Sequence, residues 1–304
     1  MLEPTRRVLT TSPGTERGHF GPTEWTLVGI TSLTWGSSYL WIAIGLEAFA
    51  PGLVAWLRLA FGAAVLLALP HKKVVIERHH WRAIALIAVV GNAGPALLFA
   101  LAEQTIESSV AGMLTAATPL ATLAMALILG NRSLRPVHVF GLLLGVVGVL
   151  AMSIDNVAGA DAGVAGVMFV ILAIVGYAIT ANVIGPVAER YGAVSVILRA
   201  QLIATALMTP SGIFALADSS FSWKSFIAVA ILGIFGTGMA RSLQATLISR
   251  SGAPRASIVG YLVPVVAAIL GVLVLDEGLS VVEISGLAIV TLGAYLGSRK
   301  VRDG

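Results

Sequence analysis

A helix crosses a bilayer with about 20 mainly apolar residues, and this chain offers ten such runs in succession. They fall at roughly 25–45, 52–70, 82–101, 109–129, 135–153, 164–184, 193–215, 224–247, 255–275 and 280–298. Of the 304 residues, 57% are apolar and 11% charged, and the mean hydropathy is +0.94, far outside the range of a soluble domain. The expected fold is all-α and integral to the membrane, with ten transmembrane helices. Their connections are short, so neighbours run antiparallel.

The net charge of +4 does not point to nucleic acid, because the basic residues sit in short loops rather than on one soluble face. They order the topology instead. With the amino terminus inside, the cytoplasmic segments hold Arg6, Arg7, Arg17, Lys72, Lys73, Arg78, Arg82, Arg132, Arg135, Arg190, Arg250, Arg255, Arg299, Lys300 and Arg302. That is fifteen of the nineteen Lys and Arg residues; the outer loops hold only Lys224, and Arg58, Arg199 and Arg241 lie within spans. Positive charge collects in short cytoplasmic loops, so both termini are expected in the cytoplasm. Residues 1–22 form a polar cytoplasmic tail, and the first apolar run is long enough to be a span rather than a cleaved leader. The absence of cysteine removes any disulfide framework, thiol nucleophile or thiolate metal site.

The chain also repeats itself. Ala111–Ala151 falls on Ala256–Leu296 at an offset of 145 without a gap, matching Pro119 with Pro264, Leu134 with Leu279, Gly141 with Gly286 and Gly148 with Gly293. Only seven positions are identical, but breaks, mid-helix prolines and glycines keep register together. Arg58 pairs with Arg199 at an offset of 141, and Glu47 with Glu189 and Trp81 with Trp223 at 142. The expected units are 23–153 and 154–298, followed by a tail at 299–304. Five spans per unit is an odd number, so the second copy enters the membrane inverted. The turn at 131–135 is then basic and faces in, while its counterpart Asp276-Glu277-Gly278-Leu279-Ser280 is acidic and faces out. Inverted repeats are an architecture of alternating-access transporters, with a substrate site near the midplane.

Several local marks coincide with this plan: Trp35-Gly36-Ser37-Ser38 in the first span, Pro51 and Trp56-Leu57-Arg58-Leu59 in the second, the Pro119 and Pro264 helices, and Leu275-Asp276-Glu277-Gly278-Leu279 before the last. With them, residues 25–296 resemble an EamA-type member of the drug/metabolite transporter superfamily. The resemblance implies a bundle in which helices 1 to 4 and 6 to 9 surround a central cavity, with helices 5 and 10 peripheral. It also implies solute transport, commonly export of amino acids, other small metabolites or drugs. Asn131-Arg132 departs from the acidic residue that many relatives carry there, so a role for Glu277 need not be mirrored in the first copy.

Charged groups at membrane depth are functional candidates. Arg58 and Arg199 lie near span ends, where long stems let their guanidiniums snorkel to the interface. Arg241, deeper in its span with Gln244 almost a turn on, either snorkels or faces a cavity, where it would clamp a substrate carboxylate. Trp35, Ser38 and Tyr39 share one helix face, as do Tyr177 and Thr180. Asn92 lies in Gly91-Asn92-Ala93-Gly94-Pro95, a stretch that suits an irregular helix with free backbone polar groups. These residues, Trp35, Ser38, Tyr39, Asn92, Tyr177, Thr180, Arg241 and Gln244, form the expected substrate site. Interhelical hydrogen bonding is the alternative for the hydroxyl and amide groups. Trp41, Phe235 and Tyr261 are further candidates for a cavity wall, whereas Trp25, Trp81 and Trp223 suit the interfacial belt. Pro119 and Pro264 should bend their helices. The glycines Gly141, Gly145, Gly148, Gly286, Gly293 and Gly297 suit helix packing and leave a homodimer contact open.

No acidic residue is expected in mid-membrane. Glu47, Glu103, Glu107, Asp276, Glu277 and Glu283 fall at helix ends as solvated charges, so any proton linkage is weak or uses an end-of-helix carboxylate. An enzyme lacks its constellation: His19, His71, His79, His80 and His138 lie in the tail or at helix edges, without His-Glu-x-x-His or Gly-x-Ser-x-Gly. No cofactor or metal is expected. The function expected is a secondary transporter in the cell membrane, an exporter of a small metabolite such as an amino acid or a drug-like solute. A channel or lipid scramblase is the alternative.

Overall fold

The computed structural model describes residues 21–69, 74–129, 136–157, 161–251, 256 and 258–298. The basic turn at 131–135, His71 with its lysines, and both terminal tails beyond these bounds lie outside the described residues. The described residues form helices and no strand. In chain order they are α1 (Pro22–Leu46), α2 (Pro51–Ala68), α3 (Arg78–Ala102), α4 (Ser108–Ile128), α5 (Pro136–Val157), α6 (Asp161–Tyr191), α7 (Ala193–Phe214), α8 (Trp223–Ser251), α9 (Val259–Leu275) and α10 (Val281–Ser298). Seven of these runs, α1 to α4 and α6 to α8, are long and apolar enough to cross a membrane; the apolar stretches in α5, α9 and α10 are shorter.

Polar contacts sort the helix ends into two groups. At one end Arg250 of α8 pairs with Glu24 of α1 at 2.7 Å, Arg190 of α6 pairs with Glu77 before α3, and the Arg199 guanidinium of α7 donates to the Val74 carbonyl at 2.7 Å. At the other, Lys224 of α8 pairs with Glu47 after α1 at 2.7 Å, and the Ala50 amide before α2 donates to Ser219 after α7 at 2.9 Å. Thus α1 begins where α6 ends.

Four helices, α1, α3, α4 and α8, depart from regular geometry, each for a local reason. In α1 the hydroxyls of Ser37 and Ser38 both donate to the Thr34 carbonyl, at 3.1 and 2.9 Å, and the helix breaks at Ser37. Side chains that bond the backbone in this way loosen the helical ladder. In α3 a wide π-helical segment, Ile87–Ala93, precedes Pro95, whose missing N–H leaves the Gly91 carbonyl without its usual donor. In α8 a second wide segment, Leu232–Met239, stands at an offset of 145 from the first, the same shift that aligns the sequence repeat. There the Thr237 hydroxyl takes up the Leu232 carbonyl at 3.2 Å.

Pro119 follows a tightened 3₁₀ turn at Thr115–Ala117, so α4 changes pitch where the proline cannot donate. Pro264 lies within continuous helix. The expected glycine faces serve the fold itself: Gly141, Gly145 and Gly148 of α5 meet Gly286 and Gly293 of α10 backbone to backbone. Close approach through small residues is a common way to join membrane helices. The helix that meets this glycine face is in the same chain.

Candidate functional site

One cavity runs between the helices, and its wall draws on Trp35, Arg58, Phe99, Thr115, Tyr177, Ile197, Arg241 and Val259, one from each of α1 to α4 and α6 to α9. No lining residue comes from α5 or α10. Including its mouth, the cavity has a volume of about 1100 Å³.

The wall is built outward from the wide turn of α8. Widening frees backbone carbonyls, and that of Gly236 accepts the indole N–H of Trp35 at 2.9 Å. Trp35 is so held parallel to Tyr177, with ring centroids 6.5 Å apart and planes within 7°. Phe99 also stacks with Tyr177 at 6.0 Å and meets Tyr39 edge-on at 5.4 Å. The Arg241 guanidinium lies over the Tyr177 ring, 5.1 Å from its centroid, a cation–π contact that fixes the charge within the wall.

Of the expected site residues, Trp35, Ser38, Tyr39, Tyr177, Thr180, Arg241 and Gln244 line the cavity. Asn92 does not: it is buried in the wide turn of α3 beside the cavity, with both amide atoms unbonded. Trp41 and Tyr261 pack into the core instead of the wall, and Phe235 is 47% exposed on the outside of the bundle. Snorkelling suits Arg199, which bonds the Ser195 and Val74 carbonyls near its helix end. It fails for Arg58, which is 5% exposed, lines the cavity, and donates Nε to Thr237 of α8 at 3.1 Å. The pairing is possible because Gly233 and Gly238 let the α2 backbone touch the wide turn. Phe99, an aromatic in an apolar helix, carries no sequence signal that separates it from core.

The acidic helix ends are also more engaged than expected. Glu277 accepts from the Ser108 amide and hydroxyl at 2.9 and 2.7 Å and from the Ser109 amide at 2.9 Å, so it caps α4 from the α9–α10 turn. Glu283 forms a reciprocal capping box with Ser280. At the opposite end Glu77, His79 and His80 gather within 4.8 Å of one another. The Glu77 carboxylate is taken by Arg190, however, and the His80 ring bonds the Tyr191 hydroxyl at 3.0 Å.

Glu103, just beyond α3, has both carboxylate oxygens buried without a hydrogen-bond partner. Burial, then the neighbouring Glu277 charge, hold its pKa well above the ordinary range against an opposing pull from Arg58. The folded protein therefore keeps a proton that the unfolded chain releases above about pH 4.5. The sign follows: stability falls as pH rises from that value towards the folded pKa, by about 1.4 kcal/mol per pH unit. Glu103→Gln should abolish this slope in thermal melts, and parallel slopes for the two proteins would refute it.

Fold and cavity define a multi-pass helical membrane protein built around a solute-sized chamber. The chain belongs to the EamA-like transporter family, whose model matches residues 25–154 and 164–299, and through it to the drug/metabolite transporter superfamily. An uncharacterized inner membrane transporter of Escherichia coli (strain K12), YedA, is 27% identical over 285 residues, covering 87% of this chain and 89% of its own. An uncharacterized transporter of Archaeoglobus fulgidus is 22% identical over 91% of this chain and 99% of its own. A WAT1-related chloroplastic protein of Arabidopsis thaliana is 24% identical over 90% of this chain and 69% of its own. One solved crystal structure superposes with a TM-score of 0.63 at 19% identity, over 90% of this chain and 95% of that one, a likeness of fold.

Proposed function

We propose that this protein is a secondary transporter of the cell (inner) membrane that exports a small metabolite, such as an amino acid or a drug-like solute, by alternating access. In this reading all ten helices span, both termini are cytoplasmic, and the two five-helix units are inverted copies. The two wide turns at the same offset of 145, and the opposite placement of the α1 and α6 starts, support the inversion. The observation that carries the reading is the cavity: α1 to α4 of one unit and α6 to α9 of the other all contribute to its wall, so rocking one unit against the other would expose it to either face.

The test is flux in proteoliposomes. Saturable uptake with counterflow is expected, because a carrier's site must reorient for each solute. Flux that rises linearly with concentration, without stimulation from the trans side, would favour the channel or scramblase reading. Arg241 is the expected carboxylate clamp, and Arg241→Gln should lower transport of carboxylate solutes by about tenfold or more. Unchanged rates in both Arg241→Gln and Arg241→Lys would remove that role.

A further inference from the structure

Two guanidinium groups share this cavity, and the described residues supply neither with a carboxylate. Arg58 spends its Nε on the Thr237 hydroxyl and leaves Nη1 buried and unbonded. Arg241, 8% exposed, rests on the Tyr177 ring. The ion pairs of Glu24, Glu47 and Glu77 do not reach either arginine. Glu103, which keeps its proton, makes no bond to Arg58 and stands outside the cavity wall. A cation removed from water is costly unless it is paired, and two around one apolar-walled chamber also repel one another. Among the described residues no carboxylate offsets that cost.

We infer that the cavity selects a net-anionic solute, an organic carboxylate with an apolar or aromatic body, over the zwitterion of the same skeleton. This rests on the transporter reading and narrows its solutes from zwitterionic amino acids to net anions. The carboxylate answers the unsatisfied donor of Arg58 and the charge of Arg241, while the Trp35, Tyr177 and Phe99 rings offer an apolar face to the body. A zwitterion would add an ammonium group to a chamber that already holds two cations. The wall has no carboxylate for it; the unbonded Gln244 Oε1 and Thr180 hydroxyl are neutral and accept weakly. Discrimination by uncompensated like charge is a recurring source of specificity.

Three probes share one skeleton and differ in charge: 3-phenylpropionate, phenylalanine and 2-phenylethylamine. Binding to the purified wild-type protein is measured by calorimetry and by thermal shift, since a ligand of the folded state raises its apparent stability. The expected order is 3-phenylpropionate tightest, phenylalanine weaker by about tenfold or more, and phenylethylamine without effect. R58Q and R241Q should each weaken 3-phenylpropionate by about tenfold or more, with partial rescue in R58K and R241K. Phenylalanine binding as tightly as the anion, or none of the three binding at millimolar concentration, would overturn the inference. Counterflow separates the two readings. Counterflow of phenylalanine without preference for the anion sinks the charge rule and leaves the carrier. Anion-selective binding with linear, non-saturable flux sinks the carrier and leaves the charge rule.

Discussion

Glu277→Ala is expected to be among the most damaging single substitutions in this protein. The carboxylate accepts three hydrogen bonds from Ser108 and Ser109, which are 3% and 0% exposed at the start of α4. It does so from a different repeat, so one side chain ties the α9–α10 turn to the first unit. Three features of sequence put it there. Asp276 ends α9 in the left-handed region at φ 54°, the Glu277 amide bonds back to the Gly271 carbonyl at 3.2 Å, and Gly271 has no side chain to exclude the carboxylate. Truncation leaves two buried amides at a helix N-terminus without an acceptor, where negative charge is also favoured by the helix dipole. Bonds to a charged group contribute about 1.5–3 kcal/mol each and do not add fully, so a loss of about 3 kcal/mol or more is expected. Glu277→Gln keeps one carbonyl oxygen for Ser108 but turns a donor towards the Ser109 amide, and should fall between. Melting temperatures of the three proteins in one detergent check the order; an alanine variant as stable as wild type would show that the cap contributes nothing.

The second large effect is expected at Gly148. A Cβ there would stand 2.6 Å from the Val290 amide nitrogen and 2.7 Å from the Gly286 carbonyl oxygen of α10. Both are backbone atoms, so no rotamer change relieves the clash and the helices must separate. The complementary glycines Gly286 and Gly293 make the same close approach from the other side, and separation breaks the seam along its length. Gly148→Ala should cost about 1–3 kcal/mol, and Gly148→Leu should prevent the two helices from docking. The control is Gly29→Ala, where nothing lies within 4 Å of the added carbon and no loss is expected. Monodisperse yield on size exclusion and the midpoint of thermal unfolding separate these outcomes. Equal behaviour of the leucine and alanine variants would mean that α5 and α10 do not rely on this contact.

The candidate site was partly legible before any coordinates. Trp35, Tyr39 and Tyr177 announced themselves because large aromatics beside serines and threonines, three or four residues apart, form stripes that lipid does not require. Arg241 was marked by its depth. Arg58 misled, because distance along a helix measures depth and says nothing of azimuth. Its guanidinium is turned inward by Thr237, which is 179 positions away in the chain. Asn92 misled differently: glycine and proline do widen its helix, but the widening buries the amide beside the cavity instead of within it. Glu277 looked like a solvated end because its capping is invisible until the donors' helix end is located, whereas the Ser280-to-Glu283 spacing of a capping box stood in the sequence.

What the sequence settled alone follows from solvent. Long apolar runs must be helices in lipid, where each backbone group has to be satisfied within its own segment. The offset of 145 then announces a duplicated unit whose prolines and glycines recur in register. Only the tertiary structure decided which faces of those helices meet. In membranes apolar side chains face both lipid and core, so hydrophobic periodicity alone assigns no inward face. Cavity, cap and seam are instead chosen by backbone approach at Gly148, Gly233 and Gly238 and by the carbonyl that a widened turn releases to Trp35.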